Sequence, residues 1–234
     1  MKKLSLVALW AVSLVLALLV GYGSRRAFAQ ESAGGQSASS EKYPSDVFPD
    51  TRSRSPKATR DEMLNDEDKA AFDNAISKGE VAYSGWNGIR LHIPAVHTDY
   101  RNAIQTLDKE VGDSRYQNLA MIIGARFADD ESDWNNHVKL SEKTLPREAV
   151  AVLKDGKDTK GLDEKDAILI QFGREMFQNK KVSSKTFADT ERLFGRRKAY
   201  ALIQTMIFFN GSGYLLHAYD YHLAAGELHP FSDQ

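Results

Sequence analysis

Apolar residues in this chain recur three and four positions apart in segment after segment, and nowhere do Val/Ile/Thr-rich alternating runs bounded by hairpin turns appear. Three-and-four spacing puts apolar side chains on one face of a helix, whereas a half-buried strand needs alternation, so the predicted class is all-α. No internal repeat is evident. The spacing predicts a helix over Asp66 to Ser77, with Asn65 as N-cap, Ala70, Phe72, Ala75 and Ile76 facing inward, and Gly79 after its end. Tyr83 to Pro94 mixes glycines, aromatics and proline and reads as an irregular segment packed on helices. His97, Tyr100, Ile104, Leu107 and Val111 mark the next helix, which Gly112 stops. Helices follow over Arg115 to Phe127, over Asp130 to Ser141, and from Pro146 to near Gly156. Leu162 to Gln178, Ser184 to Phe194 and Arg196 to about His222 complete the set. The last is unusually apolar, and Asn210-Gly211-Ser212-Gly213 is expected to interrupt it, as suits close packing at a subunit interface.

Composition narrows the partners. Lys and Arg number 31 against 32 Asp and Glu, interspersed, with a net charge of -1, so no basic stripe points to nucleic acid. The chain has no cysteine, which rules out disulfides, thiolate metal sites and a cysteine nucleophile. Residues 1–29 read as a secretory signal: Lys2 and Lys3, an apolar run from Leu4 to Val20, then Ala27-Phe28-Ala29 before Gln30. The expected location is therefore extracytoplasmic, periplasmic or secreted. An uncleaved membrane anchor is the rival, because the run approaches the ~17 to 25 residues of a bilayer span. Residues 30–60, rich in Ser, Gly, Pro and charge, read as a flexible tether, leaving 61–234 as the helical domain.

The segment Asp130-Glu131-Ser132-Asp133-Trp134-Asn135-Asn136-His137 carries the chemistry. On a helix, positions i, i+3 and i+7 share a face, so Asp130, Asp133 and His137 are expected to converge. Together with the preceding Leu119 to Arg126, the stretch resembles the core of the carboxymuconolactone decarboxylase and alkylhydroperoxidase D superfamily. Members of that superfamily have an apolar helix ending in Ala-Arg, followed by Cys-x-x-Cys-x-x-x-His. On that pattern the cysteines fall on Asp130 and Asp133, the histidine on His137, and the proton-relay glutamate of the peroxidases on Asn118. Glu131 to His137 is also similar to the Glu-Tyr-Glu-Trp-x-x-His of non-thiol branches. The resemblance implies an alkylhydroperoxidase D-like helical bundle and a homo-oligomer of trimer or hexamer type; the peroxiredoxin or alkylhydroperoxidase-type oxidoreductase activity that the family label also implies is disfavoured, because the chain has no cysteine.

A histidine near carboxylates can exchange protons near neutral pH. His137 is accordingly the candidate proton-transfer residue and Asp133 its orienting partner or second acid, for a decarboxylase, lyase or isomerase-type reaction on a small carboxylated or lactone substrate. Asn118 and Arg126 are candidate binders of a substrate carboxylate or enolate, although Arg126 can equally pair with Asp129 or Glu131. By analogy with the family's pocket wall, Trp86, His92 and His97 are candidate lining residues; Trp134 reads as packing or pocket edge, and a lone histidine on an apolar helix face is more often core. Capping is the stronger reading for Asp130 and Glu131, at a helix start. No cofactor is called for. The weaker alternative is a metal held by Asp130, Asp133 and His137, while Asp220, His222 and His229 have no fixed helical spacing and His217 lies in an apolar helix. A non-catalytic helical binding or assembly protein is the reading from a different class.

Overall fold

The structure is a computed structural model and describes residues 43–79 and 83–231. Among these are nine helices and no strand: α1 (Asp66–Ser77), α2 (Gly85–Arg90), α3 (Pro94–Val111), α4 (Ser114–Phe127), α5 (Glu131–Ser141), α6 (Arg147–Lys154), α7 (Glu164–Phe177), α8 (Ser184–Phe194) and α9 (Arg196–Ala218). Local chemistry sets their ends. The side chains of Asn65, Asp113, Asp163 and Ser183 accept the first free N–H groups of α1, α4, α7 and α8. Gly112 closes α3 in the left-handed region, at φ 59°.

Helix α4 is central. Every residue from Leu119 to Ala125 is buried, which a helix can sustain only when other helices surround it. Helix α9 lies along one side and buries Ala201, Leu202 and Met206, while α7 supplies Leu169, Ile170 and Phe172 from another. Each large aliphatic side chain buried here contributes roughly 1.5 to 3 kcal/mol. Close approach comes from Gly124, where a Cβ would stand 2.4 Å from the Met206 carbonyl oxygen and 2.9 Å from the Asn210 nitrogen. A smaller cluster of Ala58, Met63, Phe72, Ala75 and Leu91 seats α1 on the remainder.

The structure departs from the sequence expectations in three places. Tyr83 to Pro94 is not irregular throughout, because Gly85–Arg90 forms α2; Gly88 tolerates that packing where a Cβ would meet the Tyr83 carbonyl oxygen at 2.2 Å. Residues 210–213 do not interrupt α9, which runs unbroken. Their small size is used within the chain: the Asn210 amide donates to the Gly124 carbonyl at 3.2 Å, and Gly213 rests on Ala128 and Asp130. Residues 43–60, assigned by composition to a tether, are packed. Val47, Thr51, Ser53, Ser55 and Ala58 are buried, and the Thr51 hydroxyl donates to the Ser55 carbonyl at 2.6 Å. Their burial is possible because polar groups bond within the loop and to the C-terminal stretch, where Arg54 N–H donates to Tyr219 O and His222 N–H to Arg52 O. No helix among the described residues is long and apolar enough to cross a membrane, and the expected signal segment 1–29 lies outside them.

Candidate functional site

The corner between α4 and α5 is made by Ala128-Asp129-Asp130. Asp129 adopts φ 51°, and its N–H and that of Asp130 return to the Arg126 and Ala125 carbonyls at 3.2 and 2.9 Å, the double closure that ends a helix in a left-handed residue. The Asp130 carboxylate then accepts the Asp133 N–H at 3.0 Å and opens α5 as its N-cap. The corner is held on α9 by Gly213 and by His217, whose Nε2 lies 2.5 Å from the Ala128 carbonyl oxygen.

Capping turns Asp133 inward. Asp133 and Asp130 are each about 3% exposed, and each carboxyl group lies within the field of the other. Burial raises both pKa values. Asp133 is pushed well above its ordinary 3.8 by burial first and the Asp130 charge second, against the pull of Arg90 and a hydrogen bond from Trp86. Each carboxyl has one oxygen with no donor among the described residues, so protonation of one relieves the repulsion between the two. Arg90 of α2 faces this pair. Its guanidinium sits 3.8 Å from the Tyr100 ring centroid and 4.9 Å from that of Trp86, and donates to the Ser212 hydroxyl at 3.0 Å. Tyr100 closes the ring of contacts with its hydroxyl 2.8 Å from Ser212. The result is a buried acid pair beside a cation held between aromatic faces.

His137, one turn further along α5, is turned elsewhere. Its Nδ1 lies 3.3 Å from Asn118 Oδ1, and its ring meets the edge of Phe209 with centroids 4.9 Å apart. The Asn118 amide nitrogen donates to the Ser114 carbonyl at 2.9 Å, so its oxygen faces the imidazole. That assigns the proton to Nδ1 and leaves Nε2 as the lone-pair nitrogen. Burial lowers the His137 pKa from 6.5 to about 4, and the ring is therefore neutral at physiological pH.

The expected pairing of Asp133 with His137 is thus not made; Asp133 pairs with Asp130, and His137 with Asn118. Asp130, Asp133 and His137 do not close on one point, and among the described residues no group of three carboxylate or imidazole side chains is placed to hold a metal ion. Arg126 is half-buried and engaged within the fold, its guanidinium 2.6 Å from Asp129 and its Nε donating to the Lys154 carbonyl at 3.0 Å. Trp134 is packed, about 3% exposed, against Phe231. His97 is buried in α3, and His92 lies 3.0 Å from the Ser55 hydroxyl, holding the 43–60 segment rather than walling a pocket. His222 lies 3.6 Å from Asp220, whereas His229 is 2.8 Å from Glu131.

Two clefts flank the corner. One, of about 340 Å³, is lined by Asp130, Glu131, Leu216, His217, Tyr221 and Phe231 among others; the second, of about 250 Å³, includes Arg126, Asp129, Arg174 and Phe177. Neither includes His137, Asn118, Asp133, Trp86 or His97. Arg90 was not among the residues the sequence pointed to, and Tyr100 and Ser212 were read only as helix-packing positions. The only local hint was the four-residue spacing of Trp86 and Arg90, which places an aromatic face beside a guanidinium on a helix. Compared with known proteins, the chain matches no family model, no curated protein and no solved structure.

Proposed function

We propose that this chain is an exported acid–base catalyst, similar to the non-thiol carboxymuconolactone decarboxylases, that acts on a small carboxylated or lactone substrate. His137 carries the proton in this reading, and Asn118, at the position of the family's relay glutamate, fixes its tautomer. The observation that carries the proposal is the neutral imidazole with Nδ1 held by Asn118 and Nε2 as the lone-pair nitrogen. Such a nitrogen can take a proton alpha to a carbonyl and return it to an enolate, and the carboxylate of a bound substrate would raise its basicity. The Asp130–Asp133 pair is then a structural acid pair that holds α5, not the orienting partner.

His137→Gln keeps a neutral amide donor of similar reach and removes the titratable nitrogen. It is expected to abolish turnover in a screen of small carboxylates and lactones while leaving folding at neutral pH nearly intact. Unchanged turnover in that variant would overturn the assignment. A second reading, a non-catalytic helical binding or assembly protein, is favoured by one specific observation: neither flanking cleft reaches His137. The resemblance further implies a homo-oligomer, and export places the mature start at Gln30. Intact-mass measurement on protein from a secreting host tests the latter, and retention of residues 1–29 in a membrane fraction would favour the anchor.

A further inference from the structure

Helix α9 is apolar on both faces. Its inner face covers α4, yet its outer face from Tyr200 to Ala218 carries no Asp, Glu, Lys or Arg. Tyr200, Ile207 and Tyr214 stand 62%, 42% and 57% exposed. They are spaced by seven residues, so they form one stripe along the helix, about 20 Å from end to end. A solvated helix of a globular protein normally carries its charges on this face.

We propose that this stripe binds the same stripe of a second copy of the chain, antiparallel, about a two-fold axis at Ile207. Three observations select this occupant. The stripe is self-complementary: Tyr200 and Tyr214 are equidistant from Ile207, so each meets the other's counterpart across the axis, and Ile203 falls opposite Gly211. At Gly211 a Cβ would meet nothing within 4 Å, so the partner's isoleucine has room there. The helix dipole selects the antiparallel direction, because Arg196 and Arg197 at the N-terminal end are already paired with Glu191 and Glu110, and Asp220 past the other end with Arg54. Antiparallel pairing sets the amide end of one helix beside the carbonyl end of the other, whereas parallel pairing would set like ends together.

Area is the third consideration. The three exposed side chains bring on the order of 350 Å² per copy, below the ~800 Å² of a standard interface, so neighbouring surface must take part. Helix α3 supplies it. The Arg197–Glu110 ion pair and the Tyr100–Phe208 ring contact show that α3 runs antiparallel to α9, which sets Val96, 50% exposed, level with Tyr214. A two-fold contact of this kind rests on the homo-oligomer reading but names its surface and symmetry.

The test uses the chain as secreted. Light scattering over a wide concentration range is expected to give the mass of two chains, or a multiple built from pairs, and Ile207→Arg, which places two like charges at the axis, is expected to give the next lower mass with an unchanged helical spectrum. Because the chain contains no cysteine, Ile207→Cys introduces its only thiol; mild oxidation should link two copies through it, whereas Leu64→Cys, at a side chain 92% exposed on another part of the fold, should not link. A wild-type monomer would overturn both the surface and the oligomer reading. A trimer or hexamer whose mass is unmoved by Ile207→Arg would overturn this surface alone.

Discussion

His137 and Asp133 depart from their ordinary pKa values in opposite directions, and each leaves its own mark on stability. For His137 the folded pKa, about 4, lies below the ordinary 6.5, so between those values the unfolded chain binds more protons. Stability therefore falls as pH drops from 6.5 toward 4, by roughly 3 kcal/mol at most, and the loss levels off below 4. Thermal melts of His137→Gln should lack this acid limb while matching the parent near pH 7. For Asp133 the folded value lies above 3.8, so the folded chain holds the extra proton and stability falls as pH rises from about 4. Asp133→Asn keeps a neutral donor beside Asp130 and removes that slope, so the variant's advantage over the parent should grow as pH increases. Parallel curves for the two proteins would show that Asp133 does not hold that proton.

Helix ends were legible in the sequence wherever a single residue closes them. Asn65, Gly112 and Asp130 fix the ends of α1, α3 and α5 through bonds within a few residues, so no knowledge of the tertiary fold is needed. Helix α2 was not legible, because Gly85 and Gly88 argue against a helix until the backbone of Tyr83 is found where a side chain would be. For the candidate site, the helical spacing correctly put Asp130, Asp133 and His137 on one element. It could not show that the turn between Asp133 and His137 separates α2 and α3 on one flank from Asn118 and Phe209 on the other. Arg90 was nearly silent for the same reason, since its partners other than Trp86 lie on α3, α5 and α9. At this scale the contact of α4 with α9 is the most demanding, as backbone rather than a movable side chain fills the space above Gly124. Gly124→Ala should cost about 1 to 3 kcal/mol in denaturant unfolding through overpacking, despite alanine's better helix propensity. A neutral or stabilising result would mean that the two helices can separate freely.

Across the whole molecule, the described chain closes on itself near both of its ends. Arg52 donates to the Tyr221 hydroxyl at 2.8 Å and to Ser84 at 3.3 Å, and Arg54 pairs with Asp46 at 2.7 Å and with Asp220 at 3.3 Å. Composition concealed this segment because three of its five buried residues are Ser and Thr, whose hydroxyls are satisfied largely by nearby carbonyls rather than by apolar contact. Such a clasp joins residues some 170 positions apart and so carries a long loop-closure cost, while covering little apolar surface. Arg52→Ala should speed amide exchange and limited proteolysis across residues 43–55 without changing exchange in α4, and uniform acceleration throughout would instead mark the segment as part of the core.

The same clasp determines how the protein answers to mechanical load. Tension applied through the two ends of the described chain falls first on the bonds that tie Leu228 and Phe231 to Asn135 and Glu131 of α5, and next on the few hydrogen bonds between residues 52–54 and 219–222, which separate one after another rather than shearing together. An early, low-force lengthening should therefore precede rupture of the helices, and the buried α4 would feel the pull only after the two ends had come apart.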